Sequence, residues 1–271
     1  MSFFTETSPG IILPVPENLV VNDLVAILFT VWAAATAVVL FPWVIRVWIK
    51  EKDPTPFCML IGGILCSTLE PMLDNLGHLW WPTDLPGPAF IGYSLNVPYL
   101  IPCSYAGFLG MVSYWIYTKM RDGIDVRGLF VVFLLVCFSD MLLEIPGTAL
   151  GAYVYYGDQP FEVLGFPMAW TWINAMAMLF SGFLLWTIRP HLTGMKRAWI
   201  ILVPVIGGSA GYGASGWLFF LALNWEMPLY MAYFLTVVSL ALSLLIVYFV
   251  AVVVEKSSSG RETLGAPATS Q

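Results

Sequence analysis

The sequence is short of charge, and this lack already bounds the class of protein. Only 10% of the 271 residues are Asp, Glu, Lys or Arg, whereas a soluble domain carries about 25%. Hydrophobic residues make up 59% of the chain, so we expect the surrounding solvent to be lipid. The net charge of −6 and the absence of a basic cluster exclude a typical nucleic-acid-binding protein.

Long apolar runs are what the sequence has instead. A spanning helix takes about 20 mostly apolar residues, and seven runs qualify. We therefore predict an all-α integral membrane bundle of about seven transmembrane helices. Residues 1–22 would be an extracytoplasmic segment, residues 23–254 the transmembrane domain, and residues 255–271 a disordered cytoplasmic tail. The seven runs lie at 23–48, 56–76, 97–119, 127–147, 166–188, 198–222 and 229–254.

The basic residues indicate an orientation. All 11 Lys and Arg residues lie at the end of the first run or after it, after the seventh run, or at the joins of the third with the fourth and of the fifth with the sixth. The other loops, 77–96, 148–165 and 223–228, contain none. Basic residues are retained on the cytoplasmic side of membrane proteins. The pattern thus predicts a multi-pass protein of the cell membrane with its N-terminus outside and its C-terminus in the cytoplasm.

The sequence lacks the residues that several well-known kinds of membrane-protein chemistry require. No lysine lies in the interior of a predicted span, which excludes a retinal Schiff base there. The only two histidines, His78 and His191, are predicted on opposite sides, which excludes a zinc hydrolase that needs several. The four cysteines show no C-x-x-C spacing and are interpreted as buried thiols. We expect no cofactor and no metal, with one alternative, a hard divalent cation held by the carboxylates described next.

Two stretches place carboxylates inside apolar runs. LEPMLDNLGH holds Glu70, Asp74 and His78 at four-residue spacing, and SDMLLEIPG holds Asp140 and Glu144 at the same spacing. Such spacing keeps side chains on one helix face. At 1.5 Å per residue both carboxylate pairs lie about 20–27 Å from the cytoplasmic ends of their helices. A charge at mid-bilayer costs at least about 2.5–3.5 kcal/mol, so these four acidic residues require an explanation.

Three interpretations of the carboxylates compete. They could be hydrated at the outer water boundary, or protonated carboxyls could join helices by hydrogen bonds. The third interpretation, which we favour, is an ionisable cavity that faces outward and is built from the runs 56–76 and 127–147. Paired carboxyls can supply both a general acid and a general base. Glu144 and Asp140 are the first candidates for these catalytic roles, followed by Glu70 and Asp74.

Other polar and aromatic residues are candidates for substrate binding. Aromatic residues of the outer loops normally anchor helices at the lipid boundary, and a share of them could cover the mouth of the cavity. Pro71 and Pro146, next to the carboxylates, suit either a kinked pocket or ordinary helix ends. The candidate substrate-binding residues are Asn75, His78, Tyr105, Tyr153, Tyr156 and Asn174.

The run 198–222 contains a stripe of small residues, GGSAGYGASG. Gly207, Gly211 and Ser215 recur at four-residue spacing. Small residues at this spacing let two helix backbones approach closely, which is the favoured interpretation. The alternative is that the stripe leaves room for a ligand.

The segment CFSDMLLEIPGTALGAYVYYG, residues 137–157, resembles the AveC-like spirocyclase family of actinobacterial membrane proteins. A weaker likeness covers Glu70, Pro71 and Asn75, while the spacing around Asp74 departs from the family pattern, so no role is carried over to Asp74. The specific match covers about a tenth of the chain. The matching elements in 137–157 are Asp140, Leu143 to Pro146, Gly151, Tyr153, Tyr156 and Gly157.

The resemblance implies cyclisation or dehydration of a polyketide, as in spiroketal closure. Membrane-integral terpene cyclases are a similar case. The predicted function is therefore a membrane-embedded cyclase or dehydratase, without a redox cofactor, whose partners are a hydrophobic polyketide or terpenoid substrate and the lipid bilayer. The alternatives are a proton-coupled transporter, a membrane protein that binds a small molecule, or a structural partner without chemistry.

Overall fold

The protein is mostly helical, as predicted. The computed structural model describes residues 15–16 and 19–265, and the side chains of that part up to residue 257. Most of the predicted segment 1–22 lies outside the described residues. The helices are α1 (Asp23–Glu51), α2 (Thr55–Cys66), α3 (Glu70–Gly77), α4 (Leu100–Tyr105), α5 (Ser113–Arg121), α6 (Val126–Ala149), α7 (Ala169–Ile188), α8 (Val203–Asn224) and α9 (Leu229–Gly265).

Shorter helical turns connect several of these helices. A 3₁₀ turn, Ser67–Leu69, joins α2 to α3, and a π-helical segment, Ala106–Val112, joins α4 to α5. Two further 3₁₀ segments, Arg189–His191 and Gly194–Leu202, lie between α7 and α8. Residues 100–121 are therefore one continuous helical stretch with a π-helical centre.

Six helical stretches of the described chain are long and apolar enough to cross a bilayer, which indicates a membrane protein. They match six of the seven predicted runs, and the seventh, 97–119, corresponds to the interrupted stretch 100–121. The six are Asp23–Glu51, Thr55–Gly77, Val126–Ala149, Ala169–His191, Gly194–Asn224 and Leu229–Ser257.

The helices divide into central and peripheral ones. In the most apolar window of α7, 67% of the residues are buried, because this helix packs against α5, α6, α8 and α9. In the corresponding window of α1 only 11% of the residues are buried, although the mean hydropathy of this window is higher than that of α7. Apolar side chains that no other helix covers need a lipid environment, so α1 lies at the periphery of the bundle.

The small-residue stripe of α8 lies against α7. A Cβ atom at Gly211 would be 2.5 Å from the Cα atom of Ala177, and a Cβ atom at Gly207 would be 2.5 Å from the Cα atom of Ser181. Only glycine permits backbones to approach this closely. The packing interpretation of the stripe is confirmed.

The two prolines next to the carboxylates have different effects. Pro71 lies in the first turn of α3, directly after the 3₁₀ turn, where its missing N–H costs little. The run 56–76 is consequently divided into two helices just before Glu70. Pro146 lies inside α6, which continues to Ala149, so this proline does not end the helix.

Three small two-stranded antiparallel sheets cover one end of the bundle. β1 (Leu79–Trp80) pairs with β4 (Val154–Tyr155), and this pairing ties the chain after α3 to the chain after α6. The remaining strands pair as two hairpins in the same loops, β2 (Phe90–Gly92) with β3 (Leu95–Val97), and β5 (Glu162–Val163) with β6 (Phe166–Pro167). We call the segment 79–81 together with 153–155 the cap.

The opposite end of the bundle is held by an ion pair. Arg189 donates from Nη2 to Asp53 Oδ1 over 3.1 Å and from Nε to Thr55 Oγ1 over 2.8 Å. Partial burial works to raise the pKa of Asp53. The hydrogen bonds from Thr55 and the charge of Arg189 outweigh this effect and hold the pKa below its usual value. The end of α7 is thereby fixed to the turn between α1 and α2.

The last helix overlaps the first part of the predicted tail, residues 255–271. α9 continues as a helix to Gly265. Good helix formers such as Glu255 and Lys256 extend it beyond the apolar run. Residues 266–271 lie outside the described residues.

Candidate functional site

A cavity of about 1040 Å³ lies within the bundle, next to the cap. Its walls come from α1, α3, the stretch 100–121, α6, α7 and α8, together with the cap. Apolar side chains, chiefly of leucine and tryptophan, form most of its lining. Its volume is at the upper end of the range typical of small-molecule sites.

All four predicted catalytic carboxylates line this cavity. Asp140 is 1% exposed, Asp74 is 3% exposed and Glu70 is 7% exposed, and Glu144 is partly buried. Carboxyls hydrated at a water boundary would be exposed, so that interpretation is wrong for these three. Glu144 interacts electrostatically with each of the other three carboxyls, which indicates that they share one site.

Glu70 is held by a tyrosine of the neighbouring stretch. It begins α3, and the 3₁₀ turn before it directs this side chain towards α4. The hydroxyl of Tyr105 donates a hydrogen bond to Glu70 Oε2. Tyr212 of α8 is also buried and lines the same cavity as Tyr105 and Glu70.

Glu144 is also held by tyrosine, this time from the cap. Tyr153 donates to Glu144 Oε2 over 2.8 Å, and Tyr155 approaches the same oxygen at 3.5 Å. Burial, reinforced by the charge of Glu144, raises the pKa of Tyr153 well above its usual value. Tyr153 therefore keeps its proton at neutral pH and acts as a donor.

The two aspartates are held by nitrogen donors. The indole N–H of Trp81 in the cap donates to Asp74 Oδ2 over 2.9 Å. The amide nitrogen of Asn174 on α7 donates to the two oxygens of Asp140 over 3.2 and 3.4 Å. The bonds from Asn174 to Asp140 and from Tyr105 to Glu70 join helices, so the interpretation as interhelical hydrogen bonds is correct in part.

The type of donor separates the four carboxyls chemically. A tyrosine hydroxyl can both donate and accept, so it can orient a carboxyl in either protonation state. An indole N–H can only donate, so Asp74 Oδ2 is an acceptor in this contact, whereas the amide of Asn174 beside Asp140 could also accept. Glu70 and Glu144, each beside a hydroxyl, are the carboxyls best arranged to exchange a proton with a ligand.

Six residues were predicted to bind substrate, and the structure brings three of them to the cavity. Tyr105, Tyr153 and Asn174 line it, and each donates to a carboxyl. Asn75 does not line it, because this side chain turns back to donate to the carbonyl of Pro71 over 2.7 Å.

His78 and Tyr156 lie away from the cavity and stack on each other with ring centroids 5.2 Å apart. α3 ends at Gly77, and His78 adopts a left-handed conformation with φ of 56°, so the helix face predicted from the four-residue spacing ends before it. His78 Nε2 lies 3.2 Å from Asn224 Oδ1. Burial lowers the pKa of His78, which favours a neutral imidazole.

The predicted construction of the cavity also needs correction. It is not built from two helices alone, since α1, α5, α7 and α8 contribute walls. At the end next to the cap it is covered, because the buried cap residues Leu79, Trp81 and Tyr153 form part of its lining there. The pairing of β1 with β4 holds the cap in place, and such pairing is not visible in short loop sequences.

Sequence reasoning missed four aromatic residues of the site. Trp81, Tyr155, Trp170 and Tyr212 all line the cavity. Tyr212 is the one large polar residue within the small-residue stripe of α8, and this contrast was an available signal. Trp81 and Tyr155 looked like ordinary boundary aromatics, because only the folded cap brings them to the carboxyls.

Among residues 19–257, no three or more His, Cys, Asp and Glu side chains converge in a way that could hold a metal ion. The alternative of a divalent cation held by Glu70, Asp74, His78, Asp140 and Glu144 is weakened by geometry, since His78 lies outside the cavity.

No family model matches the chain, and no curated protein or solved structure matches it either.

Proposed function

We propose that the protein is a membrane-embedded enzyme that cyclises or dehydrates a hydrophobic polyketide or terpenoid by acid–base catalysis. The observation that carries the proposal is a large apolar cavity with four carboxyls, each oriented by its own hydrogen-bond donor. Preorganised polar groups in a water-poor site are what proton-transfer catalysis requires. The resemblance of residues 137–157 to AveC-like spirocyclases supports the same class of reaction.

In this proposal Glu144 acts as the general acid and Glu70 as the general base. For a spiroketal-type closure, Glu144 protonates a hemiketal hydroxyl, and the C–O bond breaks to release water and leave an oxocarbenium carbon. A second hydroxyl of the substrate adds to this carbon, and Glu70 takes its proton. Tyr153 and Tyr105 orient the two glutamates, while Asp74 and Asp140 stabilise the positive charge that develops.

The proposal includes a membrane arrangement. The stretch 100–121 would be a seventh span, with the N-terminus outside and the C-terminus in the cytoplasm. The absence of basic residues from the loops that carry the cap supports this orientation. The carboxyls would then lie in the outer half of the bilayer, beneath the cap.

The test compares lipid extracts of cells that contain the wild-type protein or Glu144→Gln, matched for the amount of protein in the membrane. Glutamine keeps the shape of the side chain but cannot donate a carboxyl proton. We expect a product to disappear and a precursor to accumulate, heavier by one water for dehydration or spiroketal closure and equal in mass for an isomerising cyclisation.

The matched control is Glu162→Gln, the same change at an exposed position of the cap side. This variant should leave the extracts unchanged. Full turnover by Glu144→Gln would contradict the assignment of the acid. Unchanged extracts together with a proton flux in liposomes that requires Glu70 or Glu144 would favour the proton-coupled transporter instead.

A further inference from the structure

The cavity reaches the lipid-facing surface of the bundle between two helices. α1 packs on α2, α4 and the π-helical segment, whereas α6 packs on α7 and α9, and the cavity runs between these two groups. Several residues line the cavity and are at the same time strongly exposed. They are Leu28 (57%) and Trp32 (44%) on α1, Leu135 (50%) and Leu142 (60%) on α6, and Trp115 (37%) on α5.

These five residues form what we call the lateral opening. All of them are apolar, so the opening faces hydrocarbon rather than water. At 1.5 Å per residue, Leu28 and Leu142 lie about 8–11 Å from the cap-side ends of their helices. Leu135 and Trp115 lie about 21–22 Å from the cap-side ends of their helices, so the opening extends from the cap-side half of the bilayer past its middle.

The polarity of the cavity is uneven. The cap-side end holds the four carboxyls and their donors, whereas the walls near the lateral opening are leucine and tryptophan. Trp170 also lines the cavity. It is 5% exposed, and its indole N–H has no hydrogen-bond partner among the residues that the structure describes. This nitrogen is itself covered by protein atoms, so Trp170 contributes its ring rather than its N–H to the lining.

The charge of the lining restricts the ligand further. The described lining of the cavity contains no lysine, arginine or histidine. A phosphate or carboxylate head group would meet four carboxyls and no cation in a low-dielectric site, which is strongly unfavourable. A hydroxyl or carbonyl group, in contrast, can hydrogen-bond to tyrosine, indole and carboxyl groups alike.

We infer that the site takes an uncharged, oxygen-bearing amphiphile directly from the bilayer, through the lateral opening between α1 and α6. The oxygen-bearing end lies under the cap, against the carboxyls, and the apolar remainder lies between α1 and α6. The inference rests on the proposed function in taking the cavity as the substrate site. Because it concerns binding alone, it can hold or fail separately from turnover.

The experiment uses photolabelling of the full-length protein in liposomes. Two probes of equal chain length are compared, a long-chain alcohol and the corresponding carboxylic acid, each with a diazirine group on its chain. Labelled peptides are identified by mass spectrometry. We expect the alcohol to label cavity peptides of α1 and α6 at least about tenfold more than the ionised acid, which corresponds to 1.4 kcal/mol.

A pair of variants tests the route. Leu142→Trp adds bulk at the lateral opening, and Leu134→Trp adds the same bulk at an equally exposed leucine of α6 that does not line the cavity (57% exposed against 60%). We expect the first variant to reduce cavity labelling by the alcohol severalfold and the second to leave it unchanged. If Leu142→Trp does not accumulate in the membrane, the comparison of the two probes on the wild-type protein still decides the question.

Equal labelling by alcohol and acid, or equal labelling of the two variants, would overturn the inference. The labelling and the lipid extracts test separate claims. If the alcohol labels the cavity selectively but Glu144→Gln leaves the extracts unchanged, the inference about binding is supported and the proposed chemistry is contradicted. If Glu144→Gln alters the extracts but labelling is unselective, the chemistry is supported and the inference about binding is contradicted.

Discussion

At the scale of single residues, the donors identify the site as clearly as the carboxyls do. Each carboxyl accepts a hydrogen bond from a side chain on another element or from a loop beyond its own helix, namely Tyr105, Trp81, Asn174 or Tyr153. A buried carboxyl needs a hydrogen-bond partner in any protein, so the donors alone do not separate a catalytic role from a structural one. Removing a donor while measuring turnover does separate them.

Tyr105→Phe tests this role. The change removes the hydroxyl that orients Glu70 and retains the ring that packs beside it. A hydrogen bond to a charged group contributes about 1.5–3 kcal/mol, so we expect the product-to-precursor ratio in lipid extracts to fall by roughly 10–100-fold.

Tyr117→Phe is the control for Tyr105→Phe. Tyr117 is also buried and lies twelve positions later in the same helical stretch, but it does not line the cavity. Its replacement should leave the ratio unchanged. An equal loss in both variants would assign the effect to packing rather than to the orientation of Glu70.

At the scale of helices and strands, the length of an apolar run predicts where a long helix begins and ends. The predicted runs 23–48 and 127–147 agree closely with α1 and α6, because an apolar run in lipid must satisfy its own backbone hydrogen bonds as a helix. The carboxyls Asp140 and Glu144 share a face as predicted, since α6 is continuous through both.

The sequence does not predict where a helix is interrupted or which distant strands pair. The four-residue spacing from Glu70 to His78 requires one continuous helix, but α3 ends at Gly77. The pairing of β1 with β4 joins segments about 75 residues apart, which local periodicity cannot indicate. Trp81 and Tyr155 reach the carboxyls only through this pairing, so their roles could not be found from spacing alone.

The contact between α7 and α8 allows a matched test of helix packing. A methyl group at Gly211 would meet the backbone of α7 at 2.5 Å, whereas at Gly213, on the opposite side of the same helix, nothing lies within 4 Å. We expect Gly211→Ala to destabilise the protein by about 1–3 kcal/mol through overpacking. The same change at Gly213 should leave stability unchanged or raise it slightly, because alanine favours helix.

Thermal unfolding of the two glycine variants in detergent, under identical conditions, measures this difference. A lower Tm for Gly211→Ala alone is the expected result. Equal Tm values would show that the backbones of α7 and α8 can separate at little cost, and the small-residue stripe would then require another explanation.

At the scale of the whole molecule, one end of the bundle differs from the other. The cap and its aromatic residues lie at one end, together with the loops 77–96 and 148–165, which contain no basic residue. The ion pair of Arg189 with Asp53 lies at the other, where the basic residues are concentrated. This difference between the two ends is the basis of the proposed orientation. The orientation predicts on which side of the membrane each loop lies, and this can be measured.

Single cysteines at Ser94 and Asp122 test the orientation and the seventh span together. Both positions are exposed, and the stretch 100–121 lies between them. If that stretch crosses the membrane, a membrane-impermeant maleimide should label Ser94→Cys in intact cells and Asp122→Cys only after permeabilisation, with the wild-type protein as background for its four cysteines. Labelling of both in intact cells, or of neither, would show that residues 100–121 do not cross the bilayer. Labelling of Asp122→Cys alone would reverse the orientation and place the cap, with the carboxyls beneath it, on the cytoplasmic side.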